Sequence, residues 1–157
     1  MPNAQLTALA RTLTASRLTV ATAESCTGGL IAKTLTDISG SSAFFTAGFV
    51  TYANDAKIRL LNVPAGLIRK HGAVSAPVAR AMSQGARRAA KSDLAVAVTG
   101  IAGPTGGTPQ KPVGLVFIAA ASSRKTVVQR FVFKGTRSRV RAQATAQALN
   151  LLKAVIP

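Results

Sequence analysis

Acidic side chains are scarce in this sequence. Of 157 residues only Glu24, Asp37, Asp55 and Asp93 are acidic, against 20 Lys and Arg, one His and one Cys. With a single histidine, a His-rich metal site cannot be assembled within one chain. The lone Cys26 excludes an internal disulfide framework. A Ser-His-Asp triad would have to recruit His71, which sits in Arg69-Lys70-His71-Gly72. That run reads as a helix C-terminus, where cations are favoured by the helix dipole. A nucleophilic hydrolase built on this chain is therefore expected to use a base other than histidine. Aromatics are equally thin: six Phe, one Tyr and no Trp leave few platforms for stacking nucleobases. No apolar run approaches the ~20 residues of a membrane span. The N-terminus lacks the apolar core of a signal peptide, so the expected location is the cytoplasm.

What remains suits a compact α/β protein. Hydrophobic residues make up 48% and charged residues 15%, which argues against disorder. The length suits one domain over residues 1–157 with a proper core. Net charge is +16, and no acid follows Asp93. Such imbalance points to an anionic partner, anything from nucleic acid to a phosphorylated metabolite. No zinc-finger or RNP-type motif supports nucleic acid, and most of the charge is expected simply to solvate the surface.

The chain is organised around Val20-Ala21-Thr22-Ala23-Glu24-Ser25-Cys26-Thr27-Gly28-Gly29-Leu30-Ile31. Leu18 to Ala23 reads as a short buried strand, Gly28-Gly29 as a tight turn, and Leu30 onward as a helix. A polar cluster between strand and helix faces the mouth of an α/β sheet. There the unpaired N–H groups of a helix start favour developing negative charge. Ser25 is placed to use them as a nucleophile; equally, Ser25 or Thr27 could cap the helix. Glu24 either orients the site or balances the helix start. Cys26 reads as a small packed residue without a local histidine partner. The stretch matches neither Gly-x-Ser-x-Gly nor Ser-x-x-Lys. Ala32-Lys33-Thr34 is no phosphate loop either, because Thr27 and Ala32 stand where that pattern needs glycine.

Taken in order, Leu6, Leu9, Ala10 and Leu13 mark a first helix, and Ile31, Leu35 and Ile38 line a second that ends at Ser39-Gly40. Phe44 to Tyr52 reads as a strand. Asn54 is a candidate cap for a helix through Ile58, Leu60 and Leu61, which puts Lys57 in its first turn. A cation there loses some preference for its proton, and burial would lower its pKa further. Tyr52, at the strand end, can face the same pocket; on their own, both residues also read as ordinary surface side chains. Pro64 opens a short helix closed near Gly72, and Ser75-Ala76-Pro77 opens another. Asp93 to Val98 reads as a buried strand running into Thr99–Thr108, a Gly/Thr-rich loop suited either to ligand approach or to a flexible surface. Val113 to Ala121 and Val127 to Phe133 form a hairpin across Ser122–Lys125. The last helix buries Val140, Ala144, Ala148, Leu151, Leu152 and Val155. Its first turn crowds Arg137, Arg139 and Arg141, an awkward arrangement unless an anion or acidic neighbour meets at least one of them. The order α-β-α-β-α-α-α-β-β-β-α implies a three-layer α/β/α sandwich with a mixed sheet.

Ala23–Gly29, the Gly48–Tyr52 strand with Asn54 and Lys57, Gly72–Ser75, Thr99–Pro104 with Gly106-Gly107, Lys111–Gly114 and Gly135-Thr136-Arg137 closely resemble the CinA C-terminal domain family. The motifs keep their order over nearly the whole chain. The departures are small: Ala47, Ala53 and Thr136 stand where Gly, Ser and Asp are common. The resemblance implies a stand-alone form without the molybdopterin-binding-like domain of full-length CinA proteins. It further implies nicotinamide-nucleotide amidase activity, converting nicotinamide mononucleotide to nicotinate mononucleotide and ammonia in pyridine-nucleotide recycling. No metal or organic cofactor is required for that chemistry. The catalytic group it implies is Ser25 as nucleophile, Lys57 as base and Tyr52 relaying or orienting the proton. Backbone N–H groups of Cys26 and Thr27 are the implied oxyanion donors. Thr99, Gly100 and one of Arg137, Arg139 or Arg141, the arginine from this chain or from a second subunit of the homo-oligomer that the resemblance implies, are candidates for holding phosphate or ribose. The alternative is a non-catalytic module of the same family that binds nucleotides or nucleic acid.

Overall fold

The computed structural model describes residues 3–157. Six helices and five strands follow one another as α1 (Asn3–Ala15), β1 (Val20–Glu24), α2 (Leu30–Thr36), β2 (Phe45–Val50), α3 (Asn54–Leu61), α4 (Ala65–His71), α5 (Ala76–Ala90), β3 (Leu94–Gly100), β4 (Leu115–Ala121), β5 (Thr126–Val132) and α6 (Arg137–Leu152). The order of elements is the one expected from hydrophobic periodicity, with strand ends moved by one or two residues. One local expectation is corrected: Ala53, not Asn54, is the N-cap of α3, and no side chain caps it. Asn54 is already inside the first helical turn.

The five strands form one sheet in the order β2-β1-β3-β4-β5. β1 runs parallel to both β2 and β3, while β4 and β5 are antiparallel additions. The sheet is mixed because the β3–β4–β5 connections are hairpin-like, whereas β1, β2 and β3 are joined through helices.

Successive side chains of a strand point to opposite faces, and here the two faces are built from different residues. Val20, Leu94, Val96, Val98, Val116 and Ile118 pack with residues of α1, α2 and α6, such as Leu13, Ile31, Leu149 and Leu152. Ala21, Ala23, Ala95 and Ala97 lie on the other face, against Leu61, Ile68, Val78 and Met82 of α3, α4 and α5. The alanine face lets the second helical layer approach closely. Within that layer α5 presses on α3 at Gly85, where a Cβ would overlap the Leu61 carbonyl. Each large core side chain buried this way contributes roughly 1.5–3 kcal/mol.

The topology also locates a crevice. The β1–β2 crossover uses α2 on one face, and the β2–β3 crossover uses α3, α4 and α5 on the other. The chain thus steps from β1 outward to β2 and then back past β1 to β3, and ligand sites of open α/β sheets lie beyond the strand carboxyl ends where the strand order reverses. Ser25 is the first residue past the end of β1.

Candidate active site

The backbone around Ser25 is held by both neighbouring strands. Its N–H donates to the Val98 carbonyl of β3 at 3.0 Å, and the Thr51 N–H donates to the Glu24 carbonyl at 2.8 Å. Beyond Ser25 the chain turns through Gly28 and Gly29, whose φ angles of 60° and 95° belong to the left-handed region that only glycine occupies freely. The turn delivers the chain into α2 with Gly29 as N-cap.

Neither Ser25 nor Thr27 caps that helix. Glu24 does so: it is 1% exposed, and its carboxylate accepts from the N–H groups of Gly29 (2.9 Å), Ile31 (3.0 Å) and Ala32 (2.8 Å). A buried carboxylate is tolerable only when fully hydrogen-bonded, and the unpaired donors of the α2 start supply the bonds. Ser25 is thereby left free for other work. The opposite side of the turn is braced by Arg141 of α6, which donates to the Thr27 carbonyl at 2.7 Å.

Lys57 reaches Ser25 from below. It lies in the first turn of α3 and is 1% exposed. Nζ stands 2.8 Å from the Thr51 carbonyl, 3.3 Å from the Tyr52 carbonyl and 3.2 Å from Ser25 Oγ. Among the described residues the ion pairs are Lys33–Asp37 and Arg59–Asp55, both on the surface; Lys57 has no counter-ion. Burial accordingly lowers its pKa below the ordinary lysine value, because taking the ammonium out of water disfavours the charged form. A neutral amine keeps two N–H groups and one lone pair. With the Thr51 and Tyr52 carbonyls accepting those two N–H groups, the lone pair of the neutral form would face Ser25 Oγ.

Cys26, beside the nucleophile candidate, is buried, and burial pushes its thiol up to about 11. It is a protonated packing residue at neutral pH. Among the described residues no backbone acceptor is paired with the N–H of Cys26 or Thr27; Cys26 lines the cavity beside Ser25, whereas Thr27 is fully buried and is not part of the lining.

Ser25, Cys26, Tyr52, Gly100–Gly103, Thr105, Gly106 and Arg137 line a cavity of about 260 Å³. The Tyr52 hydroxyl makes no hydrogen bond with Ser25 or Lys57. It accepts from Arg137 Nη2 at 2.9 Å, while Arg137 Nη1 donates to the Gly103 carbonyl at 2.9 Å. The contact of Tyr52 with Lys57 runs through its carbonyl instead. Thr99 is 1% exposed and donates its hydroxyl to the Ala73 carbonyl at 2.9 Å, so it shapes the loop and does not line the cavity. Arg139 lies along Gly135, its Cδ 3.1 Å from where a Cβ of that glycine would stand, and is likewise absent from the lining. The crowded arginines are met by neutral oxygens: Arg137 by a hydroxyl and a carbonyl, Arg141 by a carbonyl. His71 ends α4 as expected and is no part of the site.

Of the two readings open for Glu24, the helix-start one is realised. Arg141, a candidate for phosphate or ribose, instead braces the Thr27 carbonyl, a contact with no signal in the sequence. In a larger cavity of about 410 Å³, lined among others by Arg87, Asp93, Ser122 and Lys125, Ser122 Oγ bonds the backbone of its own turn and Lys125 Nζ donates to the Ala154 carbonyl. Among the described residues no group of three His, Cys, Asp and Glu side chains could hold a metal ion, and no helix is long and apolar enough to cross a membrane.

The chain resembles known proteins over almost its full length. Residues 3–156 match the CinA C-terminal domain. A CinA-like protein of Citrifermentans bemidjiense is 59% identical over 145 residues, 92% of this chain and 35% of that protein. A putative competence-damage inducible protein of Symbiobacterium thermophilum is 50% identical over 93% of this chain and 36% of its own length. The chain thus spans about a third of the curated relatives it matches. The crystal structure of a competence/damage inducible protein from Agrobacterium tumefaciens superposes with a TM-score of 0.90 at 43% identity, covering 96% of this chain and 94% of that one. A CinA superfamily protein from Escherichia coli gives 0.92 at 36% identity, covering 96% and 88%. The chain belongs to the CinA C-terminal domain family.

Proposed function

We propose that this protein is a serine amidase that hydrolyses the carboxamide of nicotinamide mononucleotide, with Ser25 as nucleophile and Lys57 as base. The observation that carries the reading is the 3.2 Å approach of a buried, unpaired Lys57 Nζ to Ser25 Oγ. Neutral Lys57 takes the Ser25 proton as Oγ attacks the carboxamide carbon. The C=O electrons move onto oxygen, and that oxyanion is met by the unpaired N–H groups of Cys26 and Thr27. As the C–N bond breaks, the Lys57 ammonium returns the proton to nitrogen and ammonia leaves. A water molecule, deprotonated by Lys57 in turn, attacks the Ser25 ester; the C–Oγ bond breaks, Lys57 returns the proton to Ser25 Oγ, and nicotinate mononucleotide leaves. Tyr52 holds Lys57 Nζ through its carbonyl, and Arg137 receives the substrate phosphate at the rim.

Two further features support this reading. The cavity of about 260 Å³ is smaller than the ~300–1,000 Å³ of pockets that enclose a whole drug-sized ligand; it suits the reacting end, with the phosphate outside. Net charge of +16 favours encounter with an anionic substrate.

The test is ammonia release from nicotinamide mononucleotide by the wild type, Ser25→Ala and Lys57→Met. Turnover by the wild type alone is expected. Turnover that survives Ser25→Ala sinks the mechanism. No wild-type turnover together with tight, salt-sensitive DNA binding would replace the amidase with a binding module.

A further inference from the structure

The bond between Arg137 and Tyr52 joins the N-terminus of α6 to the end of β2, 85 positions apart, and both residues line the cavity that contains Ser25. Tyr52 is 59% exposed, so its phenol is held by this bond and not by packing. Arg137 is also exposed, and its other nitrogen is anchored on the Gly103 carbonyl. A guanidinium on two neutral oxygens is electrostatically unspent, because among the described residues no carboxylate pairs with it. An anion binds such a group more strongly than a neutral phenol does, and phosphate can take it through two parallel bonds.

We infer that Arg137 selects anionic substrates by holding Tyr52 across the rim of the Ser25 cavity and surrendering it only to a competing anion. When a phosphate takes Nη2, the Tyr52 hydroxyl loses its partner and the ring turns about its own Cα–Cβ bond. The rim opens above Ser25 while the Tyr52 carbonyl, part of the backbone, keeps its place on Lys57. Recognition of the remote anion is thereby converted into access to the reacting serine, so the phosphate of the substrate raises turnover as well as affinity. The inference rests on the amidase reading for its catalytic consequence, but the release of Tyr52 by an anion does not.

The chain reports on itself. Tyr52 is its single tyrosine, and there is no tryptophan, so intrinsic tyrosine fluorescence reads this one hydroxyl. Inorganic phosphate titrated at constant ionic strength, with chloride as the balancing anion because of the high positive charge, is expected to change that fluorescence saturably in the wild type. Arg137→Ala should show the released signal from the start and no response. An unchanged wild-type signal at saturating phosphate, or an equal response in Arg137→Ala, overturns the inference whether or not the protein is an amidase.

The catalytic arm uses nicotinamide riboside, which lacks the phosphate, with and without inorganic phosphate supplied separately. Phosphate should raise wild-type ammonia release several-fold, and the ratio of rates with and without it should fall to about one in both Arg137→Ala and Tyr52→Phe. A ratio that stays high in Tyr52→Phe refutes the coupling. Because the ratio is taken within each variant, changes in basal rate do not affect it. Failure of the amidase reading shows separately, as absence of turnover on nicotinamide mononucleotide itself.

Discussion

Lys57 Nζ lies 3.2 Å from Ser25 Oγ across 32 positions of sequence, and nothing acidic accompanies it. The lysine is held by two backbone carbonyls and the serine, and its burial disfavours the ammonium relative to a lysine in water. A base of this kind is costly to the fold and valuable to chemistry.

Lys57→Met should separate the two. Turnover is expected to fall about 100- to 10,000-fold, the usual weight of a positioned general base. Stability near neutral pH should hold or rise, since a buried unpaired amine is replaced by an apolar chain of similar length. Ammonia release and urea denaturation measured on the same preparation check this. A variant that loses activity only because it unfolds contradicts the assignment.

The pH dependence carries a sign. The folded pKa of Lys57 lies below the ordinary lysine value, so between the two the unfolded chain binds more protons than the folded one. Stability contributed at this residue is therefore complete above ~10.4, the unfolded value, and is lost as pH falls through the folded pKa. The stability advantage of Lys57→Met over wild type should shrink as pH rises across that window. In the same direction kcat/KM should rise with pH through an apparent pKa below ~10.4, and a rate controlled by a group titrating like free lysine would count against Lys57 as base.

Cys26 provides a contrast beside the same serine. Its thiol is pushed up to about 11 by burial and is 6% exposed. Alkylation of the native protein by iodoacetamide should be slow at neutral pH and accelerate only toward pH 11, while the denatured chain reacts readily. Rapid labelling of the folded protein at pH 7 would show a thiolate there and reopen the choice of nucleophile.

Glu24 is expected to act on the fold more than on the chemistry. Its carboxylate accepts three N–H bonds at the start of α2. Glu24→Gln places an NH2 group against one or more of those donors. The expected cost is about 2–3 kcal/mol in chemical denaturation. A change below ~0.5 kcal/mol, the ordinary surface range, would mean that the cap is not what holds the Ser25 turn.

The order of elements was legible in the sequence because each depends on a local period: alternation in Leu94–Gly100, a helical stripe in Ala76–Ala90, glycines at the turn after Ser25. The chemical candidates were legible for a similar reason. With one histidine, one cysteine and four acids, few groups could serve; position alone leaves Ser25 a nucleophile or a cap and Lys57 a base or a surface lysine, and the family resemblance is what pairs them. Direction was another matter. That Glu24 caps α2 and frees Ser25, that the Tyr52 hydroxyl turns to Arg137 while its carbonyl takes Lys57, and that Thr99 is tied to Ala73 are all choices between polar partners. Several of those partners stand tens of positions apart in the chain. They are set by the parallel register of β2, β1 and β3, which aligns the ends of three strands, and by α6 arriving above them. Periodicity determined which elements form and which residues are available; only the assembled sheet decided which oxygen each nitrogen meets, because a hydrogen bond is fixed by position in space to within a few tenths of an ångström.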